Sequence, residues 1–207
     1  MEQPEKRNVL VLITNTFAAL NAIHSGLLKK LDEQFTVLIM SDLMTNADLA
    51  HINRYFETGL ILLPDHVRAV KWWLQWLRKI QKLLVHQYFD IETLRIKIAK
   101  RSVIADKIIG ACARSEILLF VTGRLLVLSR HLLIRYTENH SYRYLHQYEL
   151  AGVLATSPLD LRENAIVNSL KIKSAALIIS WDNLTSKGLM NANHELVLLW
   201  NQFMADE

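Results

Sequence analysis

The sequence predicts an α/β fold: a doubly wound, mostly parallel sheet of six strands with a helical insertion at about residues 67–135. Short, continuous apolar runs recur along the chain, and such runs are typical of strands buried on both faces. Segments with helical periodicity separate most of them. The 207 residues, 51% of them hydrophobic, suffice for one substantial core, so we expect a single domain over residues 1–207.

The first third of the chain alternates strands and helices. The apolar runs at 8–14 (NVLVLIT), 35–42 (FTVLIMSD) and 59–64 (GLILLP) are predicted strands. Helices are predicted at 21–34, where leucines and isoleucines recur on one side, and at 45–57, which begins with capping residues. This alternation predicts parallel strands joined by right-handed crossovers.

Strand signals nearly vanish in the middle of the chain and resume near residue 150. Residues 67–133 have the periodicity of three helices, with breaks near 90 and 113–115, and a polar loop is predicted at 137–149. The later elements are a helix at 160–173 and three strands, at 150–158, 174–181 and 194–201.

Six such strands predict a Rossmann-like sheet, for which the usual strand order is 3-2-1-4-5-6. Ligands of these sheets bind beyond the carboxyl ends of the strands. The candidate surface is therefore the set of loops that leave the strands: 14–20, 41–46, 64–66, 156–160 and 181–188.

Several function classes lack their usual motifs. The sequence has neither G-x-G-x-x-G after its first strand nor G-x-x-x-x-G-K-[ST], so we expect this chain to bind no nicotinamide cofactor or ATP. It has no H-E-x-x-H or Cys/His cluster, and we expect no metal. The single Cys112 predicts a buried thiol in a reducing, cytoplasmic setting, and no signal peptide is apparent. Arg124, Arg130 and His131 interrupt the long apolar run at 117–134, so no transmembrane segment is expected.

Positive charge is concentrated in the middle of the chain. Residues 67–150 hold fifteen basic and six acidic side chains, whereas the flanking segments are net acidic. Within this region the predicted helix at 67–84 has five basic residues and no acidic one. On a helical wheel the basic residues share an arc of roughly 100° bordered by Trp72 and Trp76. The arc comprises Arg68, Lys71, Arg78, Lys79 and Lys82.

A basic stripe bordered by tryptophans is typical of a helix at a membrane interface, where cations contact lipid phosphates and indoles lie at headgroup depth. We therefore predict a peripheral contact with an anionic membrane through these seven residues. The alternative is a helix packed on the sheet with merely solvated cations. Nucleic-acid binding is disfavoured, because no RNA- or DNA-binding motif accompanies the charge.

A polar cluster follows the predicted strand at 174–181, in the run SWDNLTSKG at 180–188. An aspartate at this edge can deprotonate a hydroxyl, tryptophan can stack on a sugar, asparagine and threonine can bind sugar hydroxyls, and lysine can contact a phosphate. The alternative is local: an Asx turn or cap, with the tryptophan in the core. The residues alone leave both interpretations open.

The run ALIISWDNLTSKGL, followed by HELVLLWNQFMADE, resembles the end of the N-terminal half of bacterial GT-B-fold glycosyltransferases of the surface-polysaccharide kind, related to CDP-glycerol glycerophosphotransferases. The SWDNLTSKG match is the specific part. Elsewhere the likeness is one of pattern, in GLLKKLDEQFTVLIMSD and YLHQYELAGVLATSP.

This resemblance implies the acceptor-binding half of a glycosyl- or glycerophosphate-transferase that acts on a lipid-linked saccharide at the inner membrane face. A donor-binding C-terminal domain or subunit, expected after residue 207, would hold the nucleotide-activated donor. Asp182 is the candidate catalytic base. The candidate acceptor-binding residues are Asn15, Thr16, His24, Trp181, Asn183, Thr185 and Lys187. The alternative is a non-catalytic Rossmann-like module that binds a membrane or a protein.

Overall fold

In the computed structural model, which describes residues 6–64, 67–89, 115–178 and 188–199, the chain folds around one parallel sheet of six strands. The strands are β1 (Asn8–Ile13), β2 (Thr36–Ser41), β3 (Ile61–Leu62), β4 (Leu150–Ala155), β5 (Ser174–Leu177) and β6 (Leu196–Leu198). Their order is β3-β2-β1-β4-β5-β6, so the predicted doubly wound arrangement and its strand order are confirmed.

The helices in the described part of the chain lie between these strands. They are α1 (Thr16–His24), α2 (Leu27–Gln34), α3 (Asn46–Phe56), α4 (Trp72–Phe89), α5 (Glu116–Thr137), a 3₁₀ helix (His140–Tyr148) and α6 (Leu161–Leu170). Helices α4 and α5 lie in the predicted insertion. The expected break near 90 lies outside the described residues, and the one expected at 113–115 ends at Ser115, the N-cap of α5.

The central strands are apolar along most of their length because both faces of the sheet are covered. Alternate residues of a strand point to opposite faces. Leu10 and Leu12 of β1 pack beneath α6 and the 3₁₀ helix, whereas Val11 and Ile13 pack against α1 and α2. All four side chains have no exposed surface.

Three local predictions were wrong. The helix predicted at 21–34 is two helices, because Gly26 adopts a φ of +76° between them, a conformation that glycine tolerates best. The helix predicted to begin at residue 67 begins at Trp72, since Val67 and Arg68 instead donate backbone hydrogen bonds to Asp42 and Tyr142. The loop predicted at 137–149 is largely the 3₁₀ helix, with Tyr142 1% exposed in the core.

Helices α4 and α5 run antiparallel as a hairpin. Trp73 near the start of α4 meets Tyr136 near the end of α5, with ring centroids 5.4 Å apart. At the other end Tyr88 packs so close to Gly123 that a Cβ there would lie 2.9 Å from its ring. Leu74 and Leu133 anchor the hairpin on Leu161 of α6.

Helix α5 is long and apolar enough to cross a membrane, by length and composition only. Just 22% of its most apolar stretch is buried. Core helices of soluble proteins meet the same criterion.

Candidate functional site

The loops that leave β1 and β4 are joined by buried polar contacts at the carboxyl edge of the sheet. Thr14 follows β1, and its hydroxyl donates to Oε1 of Glu163 at 2.7 Å. The backbone N–H of Ser157, after β4, donates to Oε2 of the same carboxyl group at 2.7 Å. Asn15 donates through Nδ2 to the Ser157 hydroxyl. We call Thr14, Asn15, Ser157 and Glu163 the carboxyl-edge cluster.

Glu163 is fully buried, and burial raises its pKa to about 8 despite the hydrogen bonds from Thr14 and Ser157. The carboxyl group is therefore mostly protonated near neutral pH. It lies on the face of α6 that also carries Ile166, Val167 and Leu170, all of them buried. An acidic residue on an otherwise apolar helical face was the sequence signal that could have identified it.

Arg162 connects the loops after three strands. Its guanidinium forms a salt bridge with Asp160 at 2.7 Å, donates to the carbonyl of Thr14 at 2.9 Å and lies 3.6 Å from the carboxylate of Asp42. The hydrogen bonds from Arg162 to Asp160 raise the pKa of the arginine, so the cation persists. Sequence reasoning missed this residue, because its partners come from loops far apart in the chain.

The candidate acceptor-binding residues of the first loop and helix differ in position and in exposure. Asn15 caps α1 through Oδ1, which accepts from the N–H of Ala18 at 2.8 Å, so both ends of its amide have structural partners. Thr16 is exposed at the first turn of α1. His24 ends that helix, about 12 Å along its axis from Thr16, and packs edge-on near Phe56. His24 therefore does not join the carboxyl edge, and its grouping with Asn15 and Thr16 was wrong.

Most of the SWDNLTSKG run lies outside the described residues, including Trp181, Asp182, Asn183, Thr185 and Lys187. Its last residue, Gly188, has a φ of +91° and lies against α4: a Cβ there would be 3.4 Å from Cγ of Lys82 and 3.5 Å from a guanidinium nitrogen of Arg78. The end of the run therefore contacts the tryptophan-containing helix.

Arg78 attaches α4 to the segment after this run. It is 6% exposed and donates to the carbonyls of Leu189 at 2.7 Å and Leu159 at 3.4 Å, and to the side chain of Gln81. Desolvation lowers its pKa to about 10, partly offset by Asp160, so Arg78 stays charged at neutral pH. The prediction that Arg78 contacts a membrane was wrong, because its guanidinium points into the protein.

Further hydrogen bonds hold residues 189–193 to all three neighbouring helices. The side chains of Gln81 and Asn191 exchange two hydrogen bonds, of 2.8 and 3.1 Å. Arg130 of α5 donates to the Met190 carbonyl at 3.2 Å, and Asn168 of α6 donates to the Asn191 carbonyl at 2.9 Å.

The other predicted membrane residues face outward. Trp72 is 76% exposed, and Trp76 is 61% exposed. Leu83, nearer the C-terminal end of α4, is 55% exposed. Arg68, Lys71, Lys79 and Lys82 are also exposed. We call the surface formed by Lys71, Trp72, Trp76, Lys79, Lys82 and Leu83 the tryptophan face.

The described residues contain no group of three or more His, Cys, Asp or Glu side chains that could hold a metal ion. Comparison with protein-family models, with curated proteins and with solved structures found no match to this chain.

Proposed function

We propose that this chain is the acceptor-binding half of a glycosyltransferase or glycerophosphotransferase of bacterial surface-polysaccharide synthesis. It acts at the inner membrane face on a lipid-linked saccharide. The nucleotide-activated donor is held by a separate GT-B-type domain or subunit. The contact of Gly188 with Arg78 and Lys82 carries the proposal, since it joins the end of the SWDNLTSKG run to a helix with an interfacial face.

The chemistry assigned to the run follows from its side chains and from the resemblance. Asp182 deprotonates the acceptor hydroxyl, Trp181 stacks on a sugar ring, Asn183 and Thr185 bind hydroxyls, and Lys187 meets a phosphate. Correct orientation of the two substrates accounts for much of the rate in such a transfer. Thr16, exposed at the start of α1, is the acceptor contact we retain from the first loop.

The tryptophan face supports a membrane-bound acceptor. Two exposed indoles beside three lysines match the composition of interfacial helices. Each lysine near an anionic bilayer contributes on the order of 1 kcal/mol, so the attachment is weak and salt-dependent.

Exposed apolar residues at the carboxyl edge support a second domain or subunit. Phe17, at the start of α1, is 55% exposed, and Leu43, just after β2, is 45% exposed. Because β1 and β2 are neighbours, both residues lie on the edge where a donor-binding half would close over the acceptor.

The proposal is tested by measuring transfer from a radiolabelled nucleotide-activated donor to lipid-linked saccharide in anionic vesicles. The chain is mixed with a candidate donor-binding subunit, and each protein is also assayed alone. We expect transfer only from the mixture, and we expect Asp182→Asn to abolish it while leaving the far-UV circular dichroism spectrum unchanged.

The control variant is Glu33→Gln, near the end of α2, which should keep full transfer activity because Glu33 is exposed and lies just before β2, at the opposite edge of the sheet. Full activity of Asp182→Asn would return that residue to a turn-forming role. Vesicle binding without any transfer would favour the non-catalytic membrane-binding module.

A further inference from the structure

A groove of about 800 Å³ runs along one side of α5, within the size range of small-ligand sites. Phe120 and Val127 of α5 form an apolar wall of the groove, and Phe89 at the end of α4 also lines it. These three side chains are 58–70% exposed, so the wall is accessible. The groove extends to Leu189, directly after the SWDNLTSKG run.

The charged residues of this groove are all basic. Arg124, Arg130 and His131 line it, and none of its described lining residues is acidic. Arg130 donates through Nε and one terminal nitrogen to Met190 and Asn193 at the end near Leu189. Arg124 lies over the ring of Phe120 in the apolar wall, 5.1 Å from the ring centroid. An apolar groove that also carries Arg124 and Arg130 fits an amphiphile with a long hydrocarbon chain and an anionic head.

We propose that this groove binds a single long-chain lipid phosphate, the portion of the acceptor to which the saccharide is joined, with its hydrocarbon against Phe89, Phe120 and Val127 and its phosphate at Arg124 and Arg130. The tryptophan face lies on the neighbouring helix of the same hairpin, so a lipid leaving the bilayer surface reaches the groove without crossing the sheet. This assignment rests on the proposed function only in naming the bound lipid as the acceptor carrier.

Equilibrium dialysis of radiolabelled dodecyl phosphate, below its micellar concentration, against the full chain tests the site. Inorganic phosphate and dodecanol are the two comparison ligands. We expect one saturable site for dodecyl phosphate and an affinity at least about tenfold weaker for either comparison ligand. Dodecanol lacks the anionic head, and inorganic phosphate lacks the hydrocarbon chain. Equal binding of dodecanol or of inorganic phosphate would refute the proposal.

Two matched pairs of variants locate the site on α5. Val127→Trp narrows the groove at its apolar wall, whereas Val121→Trp adds the same bulk at an exposed position of α5 that does not line it. Arg124→Gln removes a groove cation, whereas Arg135→Gln removes an exposed cation elsewhere on that helix. We expect the first member of each pair to weaken dodecyl phosphate binding about tenfold and the second to leave it within about twofold.

Equal losses within a pair would overturn the assignment, as would the absence of saturable binding by the wild-type chain. If Val127→Trp instead changed the sedimentation coefficient of a chain that binds no dodecyl phosphate, the groove would be a contact between copies. The two proposals fail separately: dodecyl phosphate binding without any transfer contradicts only the enzymatic function, and transfer without dodecyl phosphate binding contradicts only the groove.

Discussion

In the carboxyl-edge cluster, the polar atoms of Thr14, Ser157 and Glu163 point toward one another inside the protein, whereas on the tryptophan face Lys71, Lys79 and both indoles are exposed. The cluster joins loops from two strands through a buried carboxyl group, so its geometry depends on every member. The tryptophan face is a set of separate side chains on one helix. We therefore expect changes in the cluster to alter folding, and changes on the tryptophan face to alter binding alone.

The largest effect on folding is expected from truncation of Glu163. At pH 5, Glu163→Ala leaves the Thr14 hydroxyl and the Ser157 N–H without their acceptor and opens a cavity, which costs about 3 kcal/mol of unfolding free energy. Glu163→Gln keeps an acceptor and the side-chain volume, so its cost at pH 5 is about 1 kcal/mol or less. Urea denaturation measures both, and equal costs would mean that the hydrogen bonds contribute nothing.

The pH dependence of stability sharpens the comparison. The folded-state pKa of Glu163 is raised from 4.5 to about 8, so between these values the folded chain binds more protons than the unfolded chain. Stability contributed by this group is thus lost as the pH rises through that window. Glu163→Gln should become progressively more stable relative to wild type from pH 5 to pH 8, in urea titrations at several pH values. A constant difference would indicate a carboxyl group with an ordinary pKa.

Arg78 and Lys79 are adjacent on α4, but Arg78 is buried and Lys79 is exposed, so substitutions of the two compare a buried cation with an exposed one. Arg78→Met removes the donor to the Leu189 carbonyl and should cost about 2 kcal/mol. Lys79→Met, on the exposed side of the same turn, should change the unfolding free energy by no more than about 0.5 kcal/mol. Thermal or urea unfolding of the two variants decides the matter, and similar costs would contradict the different burial of the two side chains.

The smallest effect on folding is expected on the tryptophan face. Charge reversal of Lys71 and Lys79 to Glu should leave the unfolding free energy within about 1 kcal/mol of wild type, because both side chains are exposed. It should weaken sedimentation with anionic liposomes more than about tenfold, since each lysine contributes on the order of 1 kcal/mol. Reversal of Lys29 and Lys30, exposed on α2, is the control and should have a much smaller effect. Unchanged sedimentation after reversal on the tryptophan face would contradict the membrane contact.

Local apolar pattern was sufficient to predict the sheet but not the contacts at its edge. The strands were predicted within a few residues, and for the central strands the reason is that a strand buried on both faces must be mostly apolar at consecutive positions. The edge strands β3 and β6 were expected to be buried as well, but Ile61 and Leu196 are 47% and 55% exposed. The contacts of Glu163 with Thr14 and of Arg162 with Asp42 were not predicted, because the paired residues lie more than a hundred positions apart in the chain. The tryptophan helix was predicted, but it begins at Trp72 rather than at residue 67, because the N–H groups of Val67 and Arg68 donate to Asp42, after β2, and to Tyr142 of the 3₁₀ helix.

Residue periodicity by itself determined that this protein has a parallel six-stranded sheet, a helical insertion and a helix rich in lysine and tryptophan, because each of these depends on side chains close together in sequence. Only the tertiary structure decided which charges face inward. Arg78 and Lys79 are neighbouring cations, and what separates them is that Leu159, Gln81 and Leu189 offer oxygen atoms to Arg78. A charged group is buried where such partners offset its desolvation, and those partners come from three separate parts of the chain.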